Sequence, residues 1–529
     1  MGLFIDLYQN LIALFSYSIL IAMLLLFSFT KPKTLRLLFG KISGKAWICL
    51  LLVFFAALVL RLFVFPHYHQ MYLDEQLYLE YASNINSDLK PQVCEYFEFY
   101  RKDCDFLPHI TVGWPALLSL FFSIFGQDTE AVFHFSSVIG SFSVILLFLL
   151  AYLIFKNQNV ALWSSFFMAL TPLYVTWSNT AGSNMPSLFF ILLTLVLFFA
   201  YVETRDRKMM ALFALSTLFS FIVRFETIIV ALPLLLVSLR LGLFGKSPAI
   251  RALKLLYPSL VIALLSLVAI LTILSGRFFS RDWGDAMESY FFSLFPFFQV
   301  ASFHYLYLIL ALMSIFLMKE SREGIIHVST IFVFFFATYL PIFSEDRMAL
   351  IPGAFLIMLS AFSIERISAF LEGHVRHIEL FIIAVLAALL GMSLSLAYGN
   401  LYAMDSAKML ETYSVAQIKK EIPGSCYVIS EWPLVFSPSS IKAIYAHAIL
   451  KRPEKALEIA QSGGCIYYFY DGYCSENPIS RSPGSMERCR QALRKFDYET
   501  ERTFTMGGAQ YSLYRINGVA SPQSAERRN

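Results

Sequence analysis

Apolar stretches of about 20 residues, each long enough to cross a bilayer as a helix, recur along most of the chain. They predict spans at roughly 8–29, 46–65, 131–155, 160–178, 185–202, 211–223, 225–244, 255–275, 303–318, 325–343, 348–366 and 378–398. Arg224 and Glu226 interrupt the pair between 211 and 244. Many spans carry no charge on any face, unlike the amphipathic helices of a soluble core. The apolar stretch 113–126 is too short to span and predicts an interfacial or re-entrant helix. After residue 399 the pattern changes. Segments 426–430 and 465–470 read as buried strands, and helical patterns lie around 405–421, 439–461 and 485–496. Residues 499–515 read as a hairpin turning at Gly507 and Gly508. The predicted fold is mainly α: a polytopic membrane protein of about twelve transmembrane helices with an outer juxtamembrane helix, plus a small C-terminal extracytoplasmic α/β domain. The domains are 1–399, with a large outer loop at 66–130, then 400–517, and a disordered tail at 518–529.

Composition agrees with a membrane protein. Of 529 residues, 58% are hydrophobic and 15% charged, where soluble domains run nearer half and a quarter. A net charge of +4 gives no sign of nucleic-acid binding. Residues 1–10 lack the basic region and cleavage site of a signal peptide, so the first apolar run reads as a retained helix. Lys31, Lys33, Arg36, Lys41 and Lys45 follow the first span without an acid, which places that loop in the cytoplasm. Alternation then puts the clusters Arg205/Arg207/Lys208, Lys246/Arg251/Lys254, Lys319/Arg322 and Arg366/Arg376 on the same side. Counting 113–126 as a span would invert them all. The loop 66–110 is acidic and falls outside, as do both termini, predicting a plasma-membrane protein whose working face is extracytoplasmic.

Cys49 lies in a span, while Cys94, Cys104, Cys426, Cys465, Cys474 and Cys489 all fall in segments predicted to be outside. An even number in an oxidising compartment suggests disulfides. Local pairing favours Cys94–Cys104 and Cys474–Cys489, leaving Cys426 with Cys465, although fifteen connectivities are open.

Ionisable residues collect at the predicted outer ends of the spans. Asp74 and Glu75 follow the second span, and His109 precedes the interfacial helix. Arg224 and Glu226 lie between two spans. Arg277, Arg281, Asp282, Asp285 and Glu288 occupy another outer loop, and Glu345, Asp346 and Arg347 the next. A carboxylate can take a proton from a hydroxyl nucleophile. Arginines can hold a phosphate and stabilise charge growing on it. A phosphate at the membrane surface with an apolar tail between helices describes a lipid-linked donor. The plainer reading of each charge is an interfacial anchor paired with its neighbours.

The order of these features resembles the membrane-embedded C-type glycosyltransferases, in the protein mannosyltransferase and aminoarabinose-transferase branch. The likeness runs from about residue 50 to 370. It is carried by Arg61-Leu-Phe-Val-Phe-Pro, by Leu73-Asp74-Glu75 with Tyr78, Tyr81 and Ala82, and by Pro108-His109 leading into the 113–126 helix. Thr171-Pro172, Arg224-Phe225-Glu226 and Asp346-Arg347 follow in the family's order. The Trp-Trp-Asp-Tyr-Gly signature of the oligosaccharyltransferase branch is absent.

The resemblance implies transfer of a sugar from a polyprenyl- or dolichyl-phosphate donor to an acceptor hydroxyl, with inversion. Asp74 is the implied base, with Glu75 orienting it or raising its pKa through like charge. His109, Asn184, Arg224, Glu226 and Arg347 are the implied substrate and phosphate contacts. No nucleotide or obligatory metal is expected, though Asp74 with Glu75 could hold a divalent cation. Many relatives carry a second acid where this chain has Asn184, which favours a single base. The expected partners are the lipid-linked sugar, membrane lipids and a glycan, protein or lipid acceptor.

The competing reading is a secondary transporter, or a flippase of lipid-linked glycans without chemistry. Transporters usually show internal repeats and midplane polar sites. Neither stands out here. Tyr467, Tyr468, Tyr470 and Tyr473 read either as sugar-binding aromatics or, with more weight, as a buried β core.

Overall fold

The structure, a computed structural model, describes residues 2–67, 74–93, 111–241, 302–317, 322–339, 346–372, 378–423, 426–431, 441–446, 465–470, 485–506 and 509–519, with single positions 436, 454, 458 and 474. The chain packs as two compact units. One comprises Ser16–Tyr68 and Glu130–Leu401, the other Met1–Phe15, His69–Thr129 and Tyr402–Asn529.

Three of the described helices, α3, α7 and α10, start at a side-chain cap. Helix α1 is Gly2–Ser28, α2 Pro32–Phe39 and α3 Gly44–Val59. Ser43 Oγ accepts from the Ala46 amide at the head of α3. Two stripes divide α3. Ala46, Leu50, Phe54 and Ala57 are buried, whereas Ile48, Leu52, Phe55 and Val59 are about half exposed or more. Such an apolar outer stripe suits contact with lipid tails. Helix α6 is Thr129–Phe155, α7 Gln158–Leu170, α8 Pro172–Ser178 and α9 Asn184–Thr204. Asn157 Oδ1 caps α7 through the Asn159 and Val160 amides. Helix α10 is Arg207–Val223, capped by Asp206 Oδ1 on the Lys208 amide. A 3-10 turn over Phe225–Val230 leads into α11, Ala231–Leu241.

Further along lie α12 (Leu306–Phe316), α13 (Arg322–Tyr339), a 3-10 turn (Asp346–Ala349), α14 (Leu350–Glu372) and α15 (Ile378–Glu421). The core of this unit draws buried residues from α2, α3 and α6 through α15.

Among the described residues, six helices are long and apolar enough to cross a membrane: Leu11–Ser28, Gly44–Val64, Glu130–Phe155, Asn184–Thr204, Leu350–Glu372 and Phe381–Tyr402. The pair α7 and α8, bent by 59°, has the length and composition of a seventh only when its two helices are taken together. The expected span 160–178 is this bent pair. The expected spans 303–318 and 225–244 hold shorter apolar helices, Leu306–Phe316 and Ala231–Leu241. The span expected at 255–275 lies outside the described residues.

In the other unit, α4 (Asp74–Asp88) packs against α5 (Gly113–Phe125). The C-terminal part forms a five-stranded sheet in the order β2-β1-β3-β5-β4. Its strands are β1 Tyr427–Ser430, β2 Lys442–Tyr445, β3 Ile466–Tyr470, β4 Phe496–Met506 and β5 Ala509–Val519. β1 runs parallel to β2 and β3, and β5 pairs antiparallel with β3 and β4. Both faces are covered. Val415, Ile418 and Ile422, at and just beyond the end of α15, pack with Val428, Phe469 and Leu513. Ala492 of α16 (Ser485–Arg494) packs with Ile429, Tyr468 and Ile516 on the opposite face. Cys426 pairs with Cys465 and Cys474 with Cys489, as expected, whereas Cys94 and Cys104 lie outside the described residues.

Three expectations need correction. The helical reading of 439–461 contains the strand Lys442–Tyr445, because a segment of four residues has too little length to distinguish the two periods. The helix expected at 405–421 is the continuation of the one expected at 378–398, a single 44-residue helix that passes through Gly391 and Gly399 without a break. The tail expected from 518 begins inside β5, which pairs with β4 through Val519.

Gly140 lets α6 and α8 approach. A Cβ there would sit 2.7 Å from Ser178 Cβ and 3.3 Å from Met185 Cε. Gly140→Ala is expected to cost about 1–3 kcal/mol, read as a lower thermal-unfolding midpoint in detergent. Gly44→Ala, where a Cβ would meet nothing within 4 Å, is the control and should show no comparable loss.

Candidate functional site

Helix α3 ends in a π turn over Leu60–Val64, and the turn carries a fully buried Arg61. Its Nε donates to Ser178 Oγ at 3.0 Å. Nη1 donates to the Ala57 and Ala169 carbonyls at 3.1 and 3.2 Å, and Nη2 to the Met168 carbonyl at 3.3 Å. The reason these carbonyls are available is local. Pro172 has no amide hydrogen to return to Met168. The next amide, Leu173, donates instead to the Ser302 carbonyl at 2.9 Å, releasing Ala169. Arg61 therefore supplies the donors that the broken helix α7/α8 cannot supply itself. The break is also held from two other sides. Thr171 Oγ1 meets Tyr307 OH at 2.9 Å, and Tyr174 OH donates to the Leu350 carbonyl at 2.8 Å. Leu350 directly follows the 3-10 turn that carries Arg347.

Beyond α8, residues 179–183 are buried and lead into α9. Ser137 Oγ donates to Asn179 Oδ1 at 2.6 Å and fixes this passage against α6. Helices α9 and α10 run antiparallel. Thr194 meets Ser216 at 2.9 Å, the Phe190 and Phe219 rings lie 4.7 Å apart, and at the end Arg224 Nη1 donates to Asn184 Oδ1. Arg224 closes α10 in extended backbone, and its carbonyl accepts the Thr227 amide and hydroxyl at 3.0 and 2.8 Å.

Two of the sequence-predicted residues are thus brought into contact, Asn184 (4% exposed) and a partly buried Arg224. Glu226 lies in the turn that follows, with its side chain outside the described set. Arg347 is partly buried in a turn that packs against α8, α13 and α14. In the other unit Asp74 is the first residue of α4, with its side chain outside the described set, and Glu75 beside it is buried. His109 lies outside the described residues, as does the charged loop 277–288. Asp74 and Glu75 supply the oxygen donors a divalent cation takes. Among the described residues, no three His, Cys, Asp or Glu side chains group to hold a metal.

Sequence reasoning had assigned no role to Arg61, Tyr174 or Tyr307. Arg61 carried the available signal, a charge inside an apolar span. The ends of the large loop are also tied. His67 Nδ1 meets Glu130 Oε2 at 3.1 Å, and the His67 ring stacks on Phe133 and meets His134 edge-on at 4.8 Å. Tyr467 and Tyr468 are buried in the sheet, and Tyr473 lies outside the described residues.

Residues 111–275 match the family model described as dolichyl-phosphate-mannose-protein mannosyltransferase. No curated protein matches the chain by sequence. The crystal structure of ArnT from Cupriavidus metallidurans bound to undecaprenyl phosphate superposes with a TM-score of 0.54 at 10% identity, covering 91% of this chain and 100% of ArnT. The Archaeoglobus fulgidus oligosaccharyltransferase tethered with an acceptor peptide gives 0.51 at 11% identity, covering 90% and 74%. The same enzyme in complex with Zn and sulfate gives 0.51 at 13%, covering 88% and 72%. At these identities the likeness is one of fold. The resemblance to membrane-embedded C-type glycosyltransferases read in the sequence is the one these comparisons find.

The clamp is testable by itself. Arg61→Met leaves two helix-end carbonyls and Ser178 without their donor and is expected to cost about 3 kcal/mol or more. Adding Pro172→Ala returns an amide hydrogen to Met168 and should recover about 1 kcal/mol in a double-mutant cycle of unfolding midpoints. Wild-type stability in Arg61→Met would show that the clamp holds nothing.

Proposed function

We propose that this protein transfers a sugar from a polyprenyl- or dolichyl-phosphate donor to an acceptor hydroxyl at the extracytoplasmic membrane face. The observation that carries the reading is the mannosyltransferase family match at 111–275, inside a fold that covers all of an undecaprenyl-phosphate-bound ArnT. In this reading Asp74 takes the proton from the acceptor hydroxyl. The acceptor oxygen attacks the anomeric carbon, the bond from that carbon to the phosphate oxygen breaks, and the lipid phosphate leaves with the electron pair. Attack opposite the phosphate inverts the centre. The leaving group is already an anion, so no strong general acid is required. Arg224 and Arg347, with His109, would bind the phosphate and stabilise its growing charge. Support for Arg224 comes from its contact with Asn184, which fixes where the guanidinium sits. A buried Glu75 next to Asp74 supports a carboxyl pair at the start of α4.

Asp74→Asn is expected to lower sugar transfer from a labelled polyprenyl-phosphate donor by about a hundredfold or more. Equal transfer by variant and wild type removes Asp74 from the chemistry. A cysteine at Ala403 is expected to react with an impermeant thiol reagent added outside the cell. Labelling only from the cytoplasm would overturn the orientation, and the proposed face of transfer with it.

A further inference from the structure

Helix α2 lies between two helices long enough to cross a membrane, Leu11–Ser28 and Gly44–Val64, with only residues 29–43 between them. A connection this short, half of it helix, stays near the membrane surface. It is also pinned. Thr34 Oγ1 donates to Asp206 Oδ2 at 3.3 Å, and Lys208 Nζ donates to the Phe29 carbonyl at 2.7 Å, so α2 rests against the turn between α9 and α10. The Ser43 amide donates to Gln158 Oε1 at 3.1 Å and ties the far end to the start of α7. Leu38 and Ile42 are buried in the core.

This anchoring decides what the other face of α2 carries. Thr34 and Leu38, four residues apart, share the face turned to the protein. Lys33 and Arg36, three apart, share the opposite face and are exposed. Lys31, Lys41 and Lys45 are exposed on either side, and residues 29–45 contain no acid. In the neighbouring turn Arg205 and Arg207 are exposed as well. The acids there are occupied: Asp206 uses one oxygen on Thr34 and the other on the Lys208 amide, and Glu203 pairs with Lys156. None of these exposed cations makes a side-chain hydrogen bond or ion pair with another described residue.

A cluster of like charges without internal partners repels itself and draws its counter-charge from outside. Apolar side chains are interleaved with it: Phe29 is 67% exposed, Leu35 36% and Leu37 60%. A phospholipid surface matches both features. The cationic heads reach phosphate oxygens while the leucines and the aliphatic stems rest on acyl chains. A nucleic acid or an acidic protein would meet the charge and leave the leucines in water.

We propose that α2 and the α9–α10 turn form a docking surface for anionic phospholipid headgroups, on the face that the sequence predicts to be cytoplasmic. This surface stands apart from the sugar transfer proposed above, and neither depends on the other.

The test follows the full chain in an uncharged detergent and reads its unfolding midpoint as phosphatidylglycerol or phosphatidylcholine is titrated in. Wild type should bind phosphatidylglycerol about tenfold more tightly than phosphatidylcholine, and high salt should remove the preference. The triple variant Lys31→Gln, Lys33→Gln, Arg36→Gln should lose about fivefold or more of that preference. Its midpoint without lipid should stay at the wild-type value, because the three side chains are exposed and unbonded. Arg205→Gln with Arg207→Gln, on the neighbouring turn, should reduce the preference about threefold. Glycerol phosphate, which has the headgroup chemistry without acyl chains, should not displace the lipid at equal concentration. Equal affinity of wild type for the two lipids, or an undiminished preference in both variants, overturns the surface. Displacement by glycerol phosphate overturns the lipid in favour of a free anion. Displacement by heparin at equal charge, with Leu37→Gln binding phosphatidylglycerol as wild type does, overturns the membrane in favour of a soluble polyanion.

Discussion

A charged side chain buried in the apolar layer must find every partner inside the protein, and Arg61 finds its partners at a broken helix. Removing a guanidinium from water is expensive. The cost is offset by four hydrogen bonds, three of them to main-chain carbonyls, including two at the negative end of α7. The same bonds explain why α7 can end where it does. Without them the Met168 and Ala169 carbonyls would be buried in the protein unpaired, at the cost of their full desolvation. The break at Thr171-Pro172 then fixes α8 and the buried passage to Asn184. Through Tyr174 and Leu350 it also fixes the turn that carries Arg347. One arginine, outside any group expected to touch substrate, thus sets the places of two residues that are.

Much of the fold was legible because apolar length is a coarse and robust signal. The stretches at 46–65, 131–155, 185–202 and 348–366 became single helices whose composition left them no other choice. The interruption at Arg224 was legible as well, and α10 ends there. Subtler was the stretch 160–178, uniform in hydropathy but divided by one missing amide hydrogen at Pro172. The role of Arg61 was hidden for a related reason. Its partners are mostly carbonyls, which every residue carries, so no side-chain pattern announces them. The contact between Asn184 and Arg224 joins positions 40 apart and depends on how α9 and α10 align. Their register comes from packing and from no local motif. Asp74 and Glu75 were read from their place in a loop and a family pattern, and the geometry adds that they open a helix.

The C-terminal sheet illustrates how short elements mislead. β1 and β3 lie at its centre and are buried on both faces, so they read as continuous apolar runs. β2 is equally short but flanked by helix formers, and its identity comes from pairing with β1. The tyrosines of β3 face the two cores, which gives them a packing role in the sheet. Cys426–Cys465 ties the entry of β1 to that of β3, and Cys474–Cys489 ties α16 to the segment after β3.

The contact between His67 and Glu130 has a consequence for how such a chain can diversify. It brings together the two points where the chain leaves for residues 68–129 and returns. With the ends held, lengthening a flexible stretch between α4 and α5 costs little, about 0.6 kcal/mol for each doubling of such a loop. Residues can be added or lost between the anchors at small thermodynamic cost while α3 and α6 keep their places. The pair formed by His67 and Glu130 is thus a fixed gate in the chain, whose two posts stay together whatever sequence runs between them.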